Sequence, residues 1–214
     1  LLQRTFNIQH HSSLPLLSIL SYFPTSLISS GIIDQTLKVG DIIPNFILSN
    51  AFSQAVELQK LLVSGPVVIS FFRGSWCPFC KLELTGLQQA LPAIKTLGAS
   101  IIAISPQTTH YTISTVEKHE LTYEVLSDRS NMIARQFGIV FQIPEYLRPI
   151  LESKGHVLPR YNGDESFELP IPATFVVDRD GKIVYAFVDA DYTKRLDPIE
   201  IVSILRNIPI VSKS

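Results

Sequence analysis

The sequence predicts an α/β protein: a central mixed sheet flanked by helices, preceded by an N-terminal helical arm. Three observations carry this. Strand-like runs at 67–72, 100–104 and 123–126, the first of them apolar throughout, alternate with stretches of helical spacing, which calls for a sheet covered on both faces. Two further runs, 173–177 and 182–188, are joined by Arg179-Asp180-Gly181, a hairpin signal that adds an antiparallel edge. A length of 214 residues with 46% hydrophobic content is enough for one well-buried core.

Taken in order, residues 1–37 form the arm and 38–214 the domain. The apolar segment 14–28 is interrupted by Pro15, Ser18, Ser21 and Pro24, so it reads neither as a membrane span nor as an export signal. The expected location is cytoplasmic, with the arm packed on the domain or on a second copy. Gly40-Asp41 and Pro44 punctuate the entry to a short strand at 45–48, and 53–63 holds a turn and a short helix. The run 67–72 is continuously apolar, as a strand buried on both faces must be. In 78–97, Leu82, Leu84, Leu87, Leu91, Ile94 and Leu97 recur at helical spacing, and Gly98 lies just past the end. Helices are expected at 108–119 and 131–137, the latter stopped by Gly138. An insertion at about 139–170 carries Pro144, Pro149, Pro159 and the turn Asn162-Gly163-Asp164. Asp197-Pro198-Ile199-Glu200 opens the last helix, with Asp197 as cap, Pro198 at the first position and Glu200 completing a capping-box arrangement.

Charge excludes some functions. Lys and Arg number 18 against 19 Asp and Glu, both signs interspersed, so the sequence advertises no polyanion partner and nucleic-acid binding is not expected. Only 17% of residues are charged, which favours a surface partly covered by a second subunit, a homodimer being the simplest case. No cofactor is implied. The cysteines number two and both lie in Cys77-Pro78-Phe79-Cys80. A bridge between them closes almost no loop and is a poor structural staple. A zinc site needs about four ligands. No second Cys or His pair follows at ligand spacing, and His10, His11, His110, His119 and His156 are scattered. The pair is therefore read as reactive, with two inert core cysteines as the competing reading.

Cys77 follows a buried strand and starts a helix, whose end offers unpaired N–H groups and positive partial charge to a thiolate. Lowering a thiol from about 8.5 to about 7 takes roughly 2 kcal/mol, near the top of what a helix end supplies. Arg73, just upstream, is placed to add the rest; its competing reading is a surface arginine on a turn. The two-residue spacing puts one sulfur near the rim and the other about a turn inside, so that one attacks and the other resolves.

The stretch Phe71-Phe72-Arg73-Gly74-Ser75-Trp76-Cys77-Pro78-Phe79-Cys80-Lys81-Leu82-Glu83-Leu84 resembles the active-site segment of peroxiredoxin-like proteins of the alkyl hydroperoxide reductase/thiol-specific antioxidant group. Lys38 to Phe46, Ala103 to Gln107, Leu126-Ser127-Asp128, Tyr161 to Asp164, Pro172 to Phe175 and Asp191 to Arg195 resemble other segments of that group, in the same order. The likeness covers roughly residues 30–207. It implies a thioredoxin-like fold and thiol-dependent reduction of hydrogen peroxide or organic hydroperoxides, with thioredoxin or a similar dithiol as reductant.

The departures matter as much. The group's Pro-x-x-x-Thr-x-x-Cys pattern places the attacking cysteine at Cys80, with Cys77 where the threonine stands and Arg73 where the proline stands. The arginine that the group sets before its late strand falls at Pro172, which instead resembles the cis-proline of thioredoxins. Arg73 is the replacement cation for the thiolate and the leaving oxygen. Trp76 resembles the rim tryptophan of thioredoxins, or else packs in the core, and Pro78 shapes the helix start. Analogy with peroxiredoxins names Cys80 as attacker; the helix-end argument and analogy with thioredoxins name Cys77. A thioredoxin-like protein disulfide reductase and a redox-sensing dimer without turnover are the alternative functions. The Asp189, Asp191, Lys194 and Arg195 cluster reads as a solvated loop with local ion pairing.

Overall fold

The computed structural model describes residues 27–209. Most of the expected arm, residues 1–26, lies outside them. Its end is a short helical turn and a 3-10 helix at Ile32–Gln35, after which Leu37 N–H bonds the Phe137 carbonyl at 3.1 Å. Among the described residues no helix is long and apolar enough to cross a membrane.

One seven-stranded sheet organises the domain, in the order β2-β1-β5-β4-β3-β8-β9. Its strands are β1 (Ile47–Asn50), β2 (Ala55–Glu57), β3 (Val67–Phe71), β4 (Ser100–Ser105), β5 (Glu124–Ser127), β8 (Ala173–Val177) and β9 (Ile183–Val188). The three strands linked by helical crossovers, β3, β4 and β5, are parallel; β1, β2, β8 and β9 pair antiparallel. The sheet is thus mixed, as the alternation of runs predicts. Every residue of β3 and β8 is buried, which explains why both read as unbroken apolar runs. Phe71 meets Phe175 edge-to-face at 6.2 Å, and Phe137 packs tilted against both, with centroids 4.9 and 5.0 Å away.

The helices are α1 (Leu58–Ser64), α2 (Pro78–Thr96), α3 (Thr109–Lys118), α4 (Met132–Gln136), α5 (Arg148–Ser153), α6 (Leu158–Asn162) and α7 (Pro198–Arg206). On α2 the buried stripe is Cys80, Leu84, Leu87, Leu91 and Ile94, joined by Glu83. Leu82 is 72% exposed, against the sequence expectation, because it sits two positions off that stripe and points away from the sheet. Asp197 caps α7 through Oδ1, which accepts from Ile199 N–H at 2.8 Å. Glu200 does not close a capping box; it accepts from the Tyr185 hydroxyl at 3.1 Å instead.

The insertion is more ordered than a loop. Its ends, β6 (Val140–Gln142) and β7 (Glu168–Pro170), pair antiparallel as a second small sheet, and α5 and α6 lie between them. Strands β2, β6 and β7 were not expected: three residues each are too few to show a period.

Candidate active site

The cysteine pair stands where β3 hands over to α2. Phe71 at the end of β3 pairs with Ala173 at the start of β8, so Pro172 lies at the same end of the sheet as the turn that carries Cys77. The turn is tight: Cys77 N–H bonds the Gly74 carbonyl at 3.1 Å. Gly74 has φ +145°, and a Cβ there would fall 2.7 Å from Trp76 Nε1, so glycine alone suits the position. Gln107, from the end of β4, accepts from Ser75 N–H at 3.0 Å and donates to Thr115 Oγ1 at 2.9 Å, fastening the turn to α3. Cys77 is the N-cap of α2 and Pro78 its exposed first residue, as the sequence predicts.

Two expectations fail here. Neither sulfur is at the rim, since Cys77 and Cys80 are both 0% exposed, and Arg73 and Trp76 beside them are buried as well. Pro172 is not a cis-proline, because the described residues contain no cis peptide. The trans bond, which X–Pro pairs favour by about 0.5–1 kcal/mol, keeps the chain extended from β7 into β8, where Ile171 N–H bonds the Ile139 carbonyl at 2.7 Å.

Arg73, 7% exposed, donates from Nη2 to Cys77 Sγ at 3.2 Å. Its guanidinium lies between two rings, with Cζ 4.1 Å from the Tyr192 centroid and 5.1 Å from that of Trp76. Trp76, 8% exposed, meets His156 at a 37° tilt with centroids 5.2 Å apart, and Phe79 meets Tyr192 edge-on at 5.9 Å. The burial of Trp76 fits the core reading, and its ring packs against the site's cation.

Cys80 has a different arginine. Arg195 donates from Nη2 to Cys80 Sγ at 3.4 Å and from Nε to Glu83 Oε2 at 2.6 Å. Its Nη1 is held by the carbonyls of Tyr192 and Lys194. Glu83 Oε1 accepts from Ser70 at 3.3 Å on β3 and from Thr174 at 3.4 Å on β8. The 189–195 loop is therefore solvated only in part: Lys194 pairs with Asp189 at 3.1 Å on the surface, as expected, while Arg195 turns inward. Arg195, Glu83, Tyr192 and Gln107 are the residues that sequence reasoning missed as members of the site. Glu83 carried one signal, an acidic residue within the buried stripe of α2.

The electrostatics divide the sulfurs. The Cys77 thiol is held well below its usual range, chiefly because the Cys80 thiol donates a hydrogen bond to its thiolate and then because of Arg73, against the opposing effect of burial. Cys80 is pushed up by burial, by that same hydrogen bond and by the Cys77 charge; Arg73 and Arg195 oppose this without cancelling it. Glu83 is pushed up to about 7 by burial, which outweighs Arg195 and the two hydroxyls. At neutral pH the site thus holds a thiolate at Cys77, a thiol at Cys80 and two guanidiniums.

A mixed sheet flanked by helices, with a buried cysteine pair where a strand hands over to the long helix, defines a protein of thioredoxin-like fold. Residues 39–186 match the family described as AhpC/TSA, and the chain belongs to that family. It is 32% identical over 104 residues to a putative peroxiredoxin bcp of Buchnera aphidicola subsp. Schizaphis graminum, a match spanning 49% of this chain and 65% of that protein. It is 26% identical over 153 residues to peroxiredoxin Bcp of Escherichia coli K12, covering 72% of this chain and 86% of that one. The thiol-disulfide oxidoreductase ResA of Bacillus thuringiensis subsp. konkukian matches at 22% over 152 residues, 71% of this chain and 70% of that one. In fold, the peroxidoxin BcpB structure of Mycobacterium tuberculosis superposes with a TM-score of 0.64 at 22% identity, over 81% of this chain and 99% of that one.

Proposed function

We propose that this chain is a thiol-dependent peroxidase in which Cys77 attacks the peroxide and Cys80 resolves the product. The observation that carries this reading is the buried Cys77 sulfur, bonded by Arg73 Nη2 at 3.2 Å, with its proton affinity lowered while that of Cys80 is raised. A thiolate beside a guanidinium suits attack on a peroxide O–O bond, whose leaving oxygen the same cation can stabilise, and the likeness to peroxiredoxins supports a peroxidase over a disulfide reductase.

The Cys77 thiolate attacks the terminal oxygen of ROOH. The O–O bond breaks, and the departing RO⁻ keeps the electron pair, is stabilised by Arg73 and leaves as ROH after taking a proton. Cys77 becomes a sulfenic acid. The Cys80 sulfur, its developing charge met by Arg195, then attacks Cys77 Sγ and displaces hydroxide, which leaves as water with the proton Cys80 gives up. The resulting Cys77–Cys80 disulfide is returned to two thiols by thioredoxin or a similar dithiol, which is itself oxidised. Strict correspondence with the peroxiredoxin pattern would make Cys80 the attacker; its raised proton affinity argues for the reverse.

The test is peroxide consumption coupled to thioredoxin, thioredoxin reductase and NADPH. Wild type should turn over. Cys77→Ser should not be oxidised, and Cys80→Ser should consume one equivalent and leave a sulfenic acid that dimedone traps. If Cys80 rather than Cys77 carries the dimedone adduct in the complementary variant, the roles are exchanged. No consumption above the uncatalysed rate would move the reading to protein disulfide exchange, checked by insulin reduction.

A further inference from the structure

Arg73 is a buried cation without a carboxylate. Among the described residues it enters no ion pair, and its Nε has no hydrogen-bond partner. Its bond to Cys77 Sγ runs from Nη2 alone, at 3.2 Å. A guanidinium held at one point can turn about it, so its plane is set by what lies against its faces. Its Cζ is 4.1 Å from the Tyr192 ring centroid and 5.1 Å from that of Trp76, both within reach of cation–π attraction. That attraction is strongest where the cation has lost its water, as Arg73 has at 7% exposure. Trp76 belongs to the same strand-to-helix junction; Tyr192, the nearer ring, arrives from a distant loop.

The kind of support matters. A carboxylate would also orient Arg73, but its charge would offset the guanidinium's and weaken its hold on a thiolate. A ring face attracts the cation through its quadrupole and carries no net charge, so the positive charge stays available to the sulfur. Arg195 has a carboxylate partner in Glu83, at 2.6 Å. The nearest counterpart at Arg73 is the Tyr192 ring.

Tyr192 is itself held in place. Asp191 N–H bonds Asp189 Oδ1 at 2.8 Å, and Asp191 Oδ1 accepts from Thr193 N–H at 3.0 Å and Thr193 Oγ1 at 2.7 Å, two turns that bracket the tyrosine. Its carbonyl accepts from Arg195 Nη1, while Nη2 of the same arginine donates to Cys80 Sγ at 3.4 Å. Its half-buried ring also meets Phe79 of α2 edge-on. The backbone of Tyr192 is thus fixed by the cation of one sulfur, and its ring lies on the cation of the other.

We propose that Tyr192 is a positioning residue: its ring holds the Arg73 guanidinium against Cys77 Sγ without neutralising it, and its backbone ties that hold to Arg195 and Cys80. Its part in turnover rests on the peroxidase reading, whereas the contact itself is tested without peroxide. The charged and titratable groups that face Cys77 are Arg73, the Cys80 thiol, Arg195 from the loop and His156 from the insertion. Of these, the Tyr192 ring lies against Arg73.

The experiment titrates the Cys77 thiolate of the full chain by its ultraviolet absorbance. It compares wild type with Tyr192→Phe, which keeps the ring, and with Tyr192→Leu and Tyr192→Met, which both remove it. Each ring-free variant should raise the midpoint from about 5 by about one pH unit, a roughly 10-fold gain in proton affinity. Oxidation of Cys77 by hydrogen peroxide at about pH 5 should slow about fivefold in step with it. Tyr192→Phe should restore the wild-type midpoint. In an Arg73→Met background the ring-free substitutions should move the midpoint no further, which a role in general packing, or one through Arg195, does not predict. If they leave the midpoint in place, or move it equally with and without Arg73, the positioning role falls, and peroxide turnover by wild type still upholds the peroxidase. If the midpoint moves as expected while wild type consumes no peroxide, the hold on the thiolate stands and the peroxidase reading falls.

Discussion

Cys77 and Cys80 are three positions apart on one helix, and each has an arginine, yet the two half-sites are built in opposite ways. Cys77 has a near neighbour in sequence, Arg73, whose charge is balanced by the thiolate itself and by two aromatic faces. Cys80 has a partner 115 positions away, Arg195, whose charge is shared with the buried carboxylate of Glu83. The hydrogen bond from the Cys80 thiol, and then Arg73, lower the proton affinity of Cys77. Burial, that same hydrogen bond and the Cys77 charge keep that of Cys80 raised, although Arg73 and Arg195 oppose them. One fold thereby holds a nucleophile and a proton-bearing thiol within a helical turn, the division of labour that attack followed by resolution requires.

The comparison is broken most severely from the Cys80 side. Arg195→Met leaves Glu83 buried without its cation and should cost about 3 kcal/mol of stability at alkaline pH. The loss should shrink on acidification, because Glu83 then takes a proton; urea denaturation on both sides of neutrality checks this. Arg195→Lys should recover little, since one ammonium cannot serve Glu83, Cys80 and two carbonyls as the guanidinium fork does.

Arg73→Met acts on the other side and should be felt in rate more than in stability. With the guanidinium gone, Cys77 loses a favourable charge and a hydrogen bond, and its oxidation at neutral pH should slow by roughly 10-fold or more. The sign of the pH dependence is the sharper readout. Wild-type reactivity should persist below the ordinary thiol range and be lost only as pH falls through the lowered Cys77 value, whereas the Arg73→Met profile should move back up toward that range.

The smallest effect tests Glu83. Its proton is held more tightly in the folded chain, from an ordinary 4.5 up to about 7, so its contribution to stability is complete below about 4.5 and is lost as pH rises to about 7. Glu83→Gln has no proton to lose and should flatten that slope, read as the difference in urea midpoint between about pH 5 and about pH 8. An unchanged slope would mean that Glu83 is ionised throughout and is a plain ion-pair partner of Arg195.

The contrast between the half-sites also explains what could be read in the chain before its fold. Arg73, Trp76, Cys77 and Pro78 lie within one strand-to-helix junction, where a local apolar run, a turn glycine and a helix start constrain position almost without reference to the rest of the molecule. Arg195 looked like its neighbours Asp189, Asp191 and Lys194, which do sit on a surface loop. Nothing in that stretch states that one of its cations turns inward; the loop's path back to α2 decides it. Pro172 shows the opposite error. Its position before β8 is as expected, but its peptide geometry belongs to the chain that leads into it, anchored by Ile171 on Ile139.

The residues alone determine that this is a mixed α/β domain, with β3, β4, β5, β8 and β9 in place and a cysteine pair at the start of the long helix. Periodicity and turn chemistry are local, and they act over the few residues that a reader can see together. Tertiary structure alone decides that both sulfurs are covered, that His156 of the insertion meets Trp76, and that Glu83 and Arg195 meet beside Cys80. Each of these depends on which distant segments the sheet brings to one edge, and on how much low-dielectric cover they place over a charge once they are there.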